Sequence, residues 1–528
     1  MTKDPYRTVS TRRTPQSEPI PGTVANSAGG YSFAVDDWTR LNRFLILGTE
    51  GGSYYSTEQK LTKDNAAALM RCIAADGPRV VNTIVDISLA GRNPKQHPVM
   101  FALAACAGAD DPATRKAALG VLNKVCRTGT HLFLFARYVE QFRGWGRGLR
   151  DAVANWYTAK DSHALAIQLV KYQQREGWSH RDLLRLSKPR PPRNSPTDRN
   201  LAWAVGKPFS ENNYDTVLQA YEELHKGVTP KRAADLIEMF QVPWEAVPSE
   251  MLNDPKVLEA LVPDMGAGAL IRNLNRLTIA GLLKPMSTYN KVVIDKLTDA
   301  DYIERSRVHP LNVLTAALTY SAGHGVKGDS KWTPVKQVVD ALDTTFRLAF
   351  SNVVPADKRT MLCIDVSGSM TWGNIAGTFL TPNVASAAMA LVTAATEPEY
   401  HIMGFCHELR NLNITAKSSL DQAVRATHDQ SFGGTDCALP MYWSLKNNVQ
   451  CDHFVVYTDS ETWAGRGHPV QALREYRQRT GIPARLTVVG MVSNGFTIAD
   501  PNDGGMLDVV GFDSAAPALI SDFGAGRI

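Results

Sequence analysis

Asp365-Val366-Ser367-Gly368-Ser369 sets a carboxylate and two hydroxyls at alternate positions, at the end of the apolar run that starts at Thr360. An extended strand running into a turn directs these three side chains toward one point, and hard oxygen donors of this kind suit Mg²⁺. Two later segments offer the same chemistry. Gly433-Gly434-Thr435-Asp436 precedes a helical stretch, and Thr458-Asp459-Ser460 follows the apolar run that starts at His453. Ligands of an open α/β sheet collect at the carboxyl ends of its strands, so Thr435 and Asp459 are expected to approach the crevice that Asp365, Ser367 and Ser369 face. Nothing beside them looks catalytic. His407 and His468 lack the spacing of a catalytic arrangement, and no cluster of carboxylates is able to hold two metals about 4 Å apart, as a nuclease would need.

A second set of residues is cationic. Between Lys171 and Asn200 there are eight basic residues (Lys171, Arg175, Arg181, Arg185, Lys188, Arg190, Arg193, Arg199) against Glu176, Asp182 and Asp198, an excess as large as the +5 net charge of the whole 528-residue chain. A local excess of this size points to a polyanion. Lys171 and Arg175, four apart, are expected on one face of a helix ending near Gly177. Ser179 is expected to cap a following helix that carries Arg181, Arg185 and Lys188 at turn spacing, with His180 in its first turn and Trp178 a core anchor at the turn.

The elements that position these sets fall into two halves. From Asp37 to about Asn352 the apolar residues recur at helical spacing, as in Asn65 to Ala75, Pro98 to Cys106 and Thr114 to Val125, with punctuation at Gly108-Ala-Asp-Asp-Pro, Gly129 and Gly144. Strand-like alternation is nearly absent, and helices of about a dozen residues joined in this way stack as pairs in a solenoid. After about Asp357, short apolar runs at Thr360 to Val366, Tyr400 to Cys406, His453 to Thr458 and Arg485 to Met491 alternate with helical stretches at Val384 to Ala395, Leu420 to Thr427 and Pro469 to Arg479. That pattern predicts a doubly wound parallel sheet covered on both faces.

Composition excludes the other broad classes. Hydrophobic residues make up 44% and charged residues 21% of the chain, close to a globular average. The exception is Met1 to Gly30, where four prolines stand among Thr, Ser and Arg, which predicts a mobile tail. No stretch approaches the roughly 20 apolar residues of a membrane span, and no apolar run marks a signal peptide, so a cytoplasmic protein without membrane contact is expected. The seven cysteines lie far apart without a Cys-x-x-Cys pair, which predicts reduced, mostly buried thiols.

Asp365, Ser367, Ser369, Thr435 and Asp459 together resemble the metal-ion-dependent adhesion site of the von Willebrand factor A fold, which implies a divalent metal cofactor, with Mg²⁺ the ion expected. Over nearly the whole chain the sequence is similar to the Ro autoantigen family, in which a TROVE domain precedes such an A domain. The resemblance rests on Arg43 to Tyr55, Lys95 to Ala104, Thr130-His-Leu-Phe, Trp145 to Arg150, Gly177-Trp-Ser-His and Ser493 to Asp500. Residues 1–30, the expected mobile tail, fall outside it; over the rest it implies a ring of HEAT-like helical repeats over 31–356 and the A-type domain over 357–528. It further implies a noncatalytic protein that binds small noncoding Y RNA on an outer basic surface and takes single-stranded 3′ ends of misfolded RNAs into a central hole. The setting would be RNA quality control and stress survival, with a 3′ exoribonuclease reached through Y RNA. A chain that closes its own ring has no need of a second copy, so a monomer is expected. By position, Lys171 and Arg175 match the family's RNA-contacting helix, and the candidate RNA contacts are Lys171, Arg175, His180, Arg181, Arg185 and Lys188. One departure is Lys188, where the family commonly has a histidine implicated in RNA binding: phosphate attraction survives the exchange, whereas imidazole stacking does not. The competing reading is a metal-dependent protein-binding scaffold, in which the A domain engages an acidic side chain and the basic helices are incidental.

Overall fold

The computed structural model describes residues 13–49, 58–93, 95–207, 214–325, 329–350, 355–373, 375, 380–428, 433–512 and 515–527. Residues 1–12 of the expected tail and Glu50 to Tyr55 of the family-like stretch lie outside them.

Among the described residues, eighteen α-helices run from Asp37–Leu47 to Lys336–Leu348. Most begin at a side-chain cap of the expected kind. Asp111, Asp161, Thr229 and Asp254, for example, each accept hydrogen bonds from backbone N–H groups of the first turn, which otherwise lack partners. Thr114 to Val125, read as one helix, is two, Pro112–Gly120 and Leu122–Val125, because Val121 leaves helical geometry at φ −100°, ψ 4°.

Among the described residues, a strand pair precedes the helical half. Strands β1 (Thr23–Ala25) and β2 (Tyr31–Ala34) form a hairpin close to the amino terminus. A second small hairpin, β3 (Gln174–Arg175) and β4 (Trp178–Ser179), interrupts the helices. The α/β domain contributes β5 (Thr360–Asp365), β6 (Tyr400–Phe405), β7 (Leu409–Asn411), β8 (His453–Thr458), β9 (Arg485–Gly490), β10 (Phe496–Thr497) and β11 (Met506–Val510). Its sheet has the order β11-β9-β8-β5-β6-β7, parallel except for the antiparallel pair β6–β7. The chain places β6 on one side of β5 and β8 on the other, so the loops leaving β5 and β8 diverge and open a crevice at their carboxyl ends.

Alternation along β5 divides the core. Met361 and Cys363 pack with Phe454, Val456, Leu473 and Tyr476 on one face, whereas Leu362 and Ile364 join the core that continues into the helical half. Phe512 carries that continuity, with its ring 6.4 Å from Phe346 and 6.2 Å from Phe350 on and just after the last helix of the array. Arg347 on that helix also donates to the Ala416 and Ser418 carbonyls. The first helix, Asp37–Leu47, docks on edge strand β11 through Arg43, which pairs with Asp508 and donates to the Phe496 carbonyl. The α/β domain therefore joins the first and last helices of the array.

The tail expected over residues 1–30 does not hold from Arg13 onward. Arg13 pairs with Glu475, the Thr14 N–H donates to Gln471, Gln16 is fully buried, and β2 extends β10 in register Phe496 with Ala34. The segment orders because its polar groups find partners on the α/β domain, a gain that composition alone does not reveal. All seven cysteines are free and buried. Among the described residues no helix is long and apolar enough to cross a membrane.

Candidate metal centre and basic surface

β5 ends on Asp365, and Ser367 and Thr458 meet its carboxylate there, with the loops of Asp459 and Thr435 tied together alongside. Asp365, Ser367, Ser369, Thr435 and Asp459 are all at most 6% exposed. Asp365 Oδ1 accepts from the Ser367 N–H at 3.0 Å, and its Oδ2 accepts from the Thr458 hydroxyl at 2.7 Å across to β8. The Ser367 and Ser369 hydroxyls lie 3.1 Å apart. The Thr435 loop is tied to the loop after β8, since the Thr435 carbonyl accepts from the N–H groups of Trp463 and Ala464 and from the Thr462 hydroxyl.

Burial raises the carboxyl pKa of both Asp365 and Asp459, and the negative charge of Asp459 pushes Asp365 further. Two buried carboxylates facing each other among hydroxyls form a site whose repulsion a hard divalent ion would relieve, so the donor set fits Mg²⁺. Among the described residues no group of three or more His, Cys, Asp or Glu side chains is placed to hold a metal, and the candidate relies on two carboxylates with three hydroxyls.

Sequence patterns do not show the frame around this loop. Ser460 takes φ +60°, a left-handed conformation uncommon for serine, directly after Asp459. Side chains from distant segments hold the loop there. Asn494 Nδ2 donates to the Asp459 carbonyl at 2.7 Å, the Ser32 hydroxyl to the Ser460 carbonyl at 2.8 Å, and Asn26 Nδ2 to the Thr462 carbonyl at 2.7 Å. Glu461 accepts from the Ser27 N–H, and burial followed by the Asp459 charge lifts its pKa to about 7. The sequence signals here are the Asp459-Ser-Glu461 spacing and the family-like Ser493-Asn494. Neither identifies a hydrogen-bond partner more than four hundred positions upstream.

The basic segment departs from expectation at its first turn. The helix Ser162–Lys171 stops at Lys171, and Arg175 lies on β3 rather than on the same helical face. Glu176 (φ 55°) and Gly177 (φ 81°) are both left-handed, as a two-residue hairpin turn requires, and this turn prevails over helix continuation. Trp178 on β4 packs 5.7 Å from Trp145, in line with the anchoring role expected of it. Lys171 Nζ lies 3.4 Å from Glu245, so its charge is partly neutralised, whereas Arg175 is exposed.

Ser179 caps the helix His180–Ser187 in a capping box with Asp182, as expected. Arg181, Arg185 and Lys188 are exposed on or just after it. Lys188 itself is left-handed at φ 49° and closes the helix. Arg185, Lys188 and Lys207 line a groove of about 450 Å³ whose floor is Leu184, Leu201 and Val205. His180 corrects the candidate set, because it is 4% exposed. Its Nδ1 meets the Tyr157 hydroxyl at 2.9 Å and its Nε2 the Gln168 carbonyl at 3.2 Å, and its ring stacks on Trp156. Burial lowers its pKa to about 4, so the imidazole is neutral and braces the base of the basic helix from inside.

The Ro60 vWA domain model matches residues 359–524, and the TROVE domain model matches residues 24–242 and 240–321. An RNA-binding protein RO60 from Deinococcus radiodurans is 40% identical over 537 residues that cover all of both chains. Another from Caenorhabditis elegans is 35% identical over 96% of this chain and 91% of its own. The crystal structure of the D. radiodurans RO (RSR) protein superposes with a TM-score of 0.71, covering 93% of this chain and 100% of that one, at 40% identity.

Proposed function

The chain belongs to the RNA-binding Ro60 family, and from that premise we propose that it binds small structured RNAs, of the Y RNA type, on the surface formed by the β3–β4 hairpin and the helix His180–Ser187. The observation that carries this reading is the stiffness with which four charges are presented. Arg175, Arg181, Arg185 and Lys188 are exposed on a hairpin and a capped helix whose inner faces are fixed by Trp178 and His180. Cations on a rigid frame meet phosphates without first losing much conformational freedom, which suits a duplex stem of fixed shape.

The role is binding without a chemical step: misfolded RNAs are held by their single-stranded 3′ ends in a central hole, within cytoplasmic RNA quality control and stress survival. A 3′ exoribonuclease reached through bound Y RNA would supply the cleavage. The chain acts as a monomer. Asp365, Ser367, Ser369, Thr435 and Asp459 would hold Mg²⁺, which supplies a coordination position for a partner's carboxylate or for water.

A second reading, a metal-dependent protein-binding scaffold, is favoured by Trp372 and Trp463, which are 51% and 45% exposed on segments adjoining the metal loops. Ultraviolet crosslinking of the protein in cell extract, followed by recovery of bound nucleic acid, separates the two. One or a few small structured RNAs are expected. Recovery of no RNA above background would move the conclusion to the scaffold.

A further inference from the structure

Two routes of contact run from the loop that carries Asp459 to the helix Asp37–Leu47. The first passes through the segment 491–497. Asn494 Nδ2 donates to the Asp459 carbonyl, and Asn494 in turn accepts from Arg43 Nη1 at 3.2 Å at both its side-chain and its backbone oxygen. Beside it the Ser493 hydroxyl donates to the Gly48 carbonyl at 2.6 Å, and the Ser493 carbonyl accepts from Asn65 Nδ2 at 3.2 Å. The second route is the β1–β2 hairpin, whose backbone presses on the loop. A Cβ at Gly30 would lie 2.2 Å from the Thr462 carbonyl oxygen, which leaves no room for a side chain there. Ser32 and Asn26 donate to the Ser460 and Thr462 carbonyls. β2 then leads directly into the helix Asp37–Leu47, with the Val35 N–H on the Gly495 carbonyl at 3.0 Å. Glu461 joins the two routes, accepting from the Ser27 N–H at 2.8 Å and from Asn494 Nδ2 at 3.3 Å.

The loop conformation depends on such restraints. Ser460 is left-handed, a state that persists in a residue with a side chain only where the surroundings over-determine it. The loop also holds the Asp459 carboxylate near that of Asp365, both fully or almost fully buried, and their repulsion acts to part them. A divalent cation at the donor set offsets that repulsion, so the cation and the two routes favour one and the same loop conformation. Influences that stabilise a shared conformation are coupled, and thermodynamic linkage makes the coupling reciprocal. When the first helix leaves the sheet, Arg43 no longer orients Asn494, and the hold on the Asp459 carbonyl goes with it.

We propose that ion binding at the metal site and docking of the helix Asp37–Leu47 on the α/β domain are linked through Asn494 and the Asp459 loop, each strengthening the other. This linkage rests on the metal-site reading and gives the cation a task at the junction where the helical array begins. The full chain is titrated with Mn²⁺, the free ion being read by electron paramagnetic resonance, and amide exchange of residues 37–47 is followed by mass spectrometry with and without the ion. Saturating Mn²⁺ is expected to slow that exchange about ten-fold, a common size for coupling between two sites. Arg43→Ala touches none of the five donors and should weaken Mn²⁺ binding by about the same factor, as reciprocity requires. Ser32→Ala, a milder cut on the hairpin route that keeps the test open if the first variant does not fold, should weaken it in the same direction. Arg347→Ala loosens the other junction, where its guanidinium holds the Ala416 and Ser418 carbonyls, and should leave Mn²⁺ affinity unchanged. Equal weakening by Arg347→Ala overturns the proposal, because general loosening would then explain the effect. Exchange indifferent to Mn²⁺, or parental affinity in both Arg43→Ala and Ser32→Ala, overturns it as well and leaves the metal site standing. A parent that binds no Mn²⁺ removes the metal reading and this inference together.

Discussion

Arg43 and Asp508, 465 residues apart, form a bidentate pair: Arg43 Nη2 lies 2.7 and 2.8 Å from the two carboxylate oxygens. The same guanidinium donates through Nη1 to the Asn494 side chain and to the Asn494 and Phe496 carbonyls. Asn494 in turn grips the carbonyl of Asp459. The first helix of the array is thus connected, through one buried arginine, to the loop that carries a candidate metal ligand.

Arg43 is 1% exposed in its side chain, so replacing it leaves Asp508 charged, poorly hydrated and short of its main partner. Arg43→Ala is expected to destabilise the docked state by about 3–5 kcal/mol, the usual result of removing one member of a buried pair. Urea unfolding, with hydrogen exchange of the 491–497 segment, reads the effect. A midpoint unchanged from the parent would show that the pair contributes nothing to docking.

Asp365→Ala removes the carboxylate at the centre of the crevice. Calorimetric titration with Mg²⁺ or Mn²⁺ is expected to show binding by the parent and none by the variant, while affinity for structured RNA stays nearly the same. Loss of RNA binding in a folded Asp365→Ala protein would mean that the two sites are one.

Burial lowers the pKa of His131, His180 and His309 to about 4 and of His453 to about 3, against an ordinary 6.5. Each is neutral in the fold and takes up a proton on unfolding, so its contribution is complete above pH 6.5 and falls away as the pH drops toward the folded value. The loss is about 1.4 kcal/mol per histidine per pH unit in that window. Unfolding measured from pH 7 down to 5 should show a steep loss of stability, and His180→Phe should lessen it. A flat profile would place these rings in water.

Lys171 already has Glu245 as a partner, whereas Arg175 is exposed on β3, just before the hairpin turn. Arg175→Ala should therefore weaken RNA binding more than Lys171→Ala does, as gel-shift titration would show. The reverse order would mean that the Lys171–Glu245 pair opens on binding.

The positions of the five candidate donors at strand ends and loops are legible in the sequence, because each stands after an apolar strand or in a glycine-marked loop. The sheet is legible for the same reason, apart from β7 and β11, whose short edge sequences carry weak patterns. The features that escape a sequence reading depend on partners remote in the chain. The segment from Arg13 to Gly30 looks like a tail until Glu475, Gln471, Glu461 and the Thr462 carbonyl are in place around it. His180 looks like an exposed cation because it stands among arginines, yet it is the first residue of a capped helix and faces Trp156 and Tyr157. The four-residue spacing from Lys171 points Arg175 to a helix, and the Glu176-Gly177 turn settles that local conflict in favour of a hairpin.

The central claim is that phosphates meet the hairpin and the capped helix. Its most direct test is the salt dependence of affinity for a structured RNA, measured for the parent and for a variant with Arg175, Arg181, Arg185 and Lys188 all changed to alanine. The log–log slope should become shallower by about one unit for each phosphate that the variant no longer neutralises, with weaker binding to every RNA sequence tried. A variant that keeps both the affinity and the slope of the parent would contradict the account.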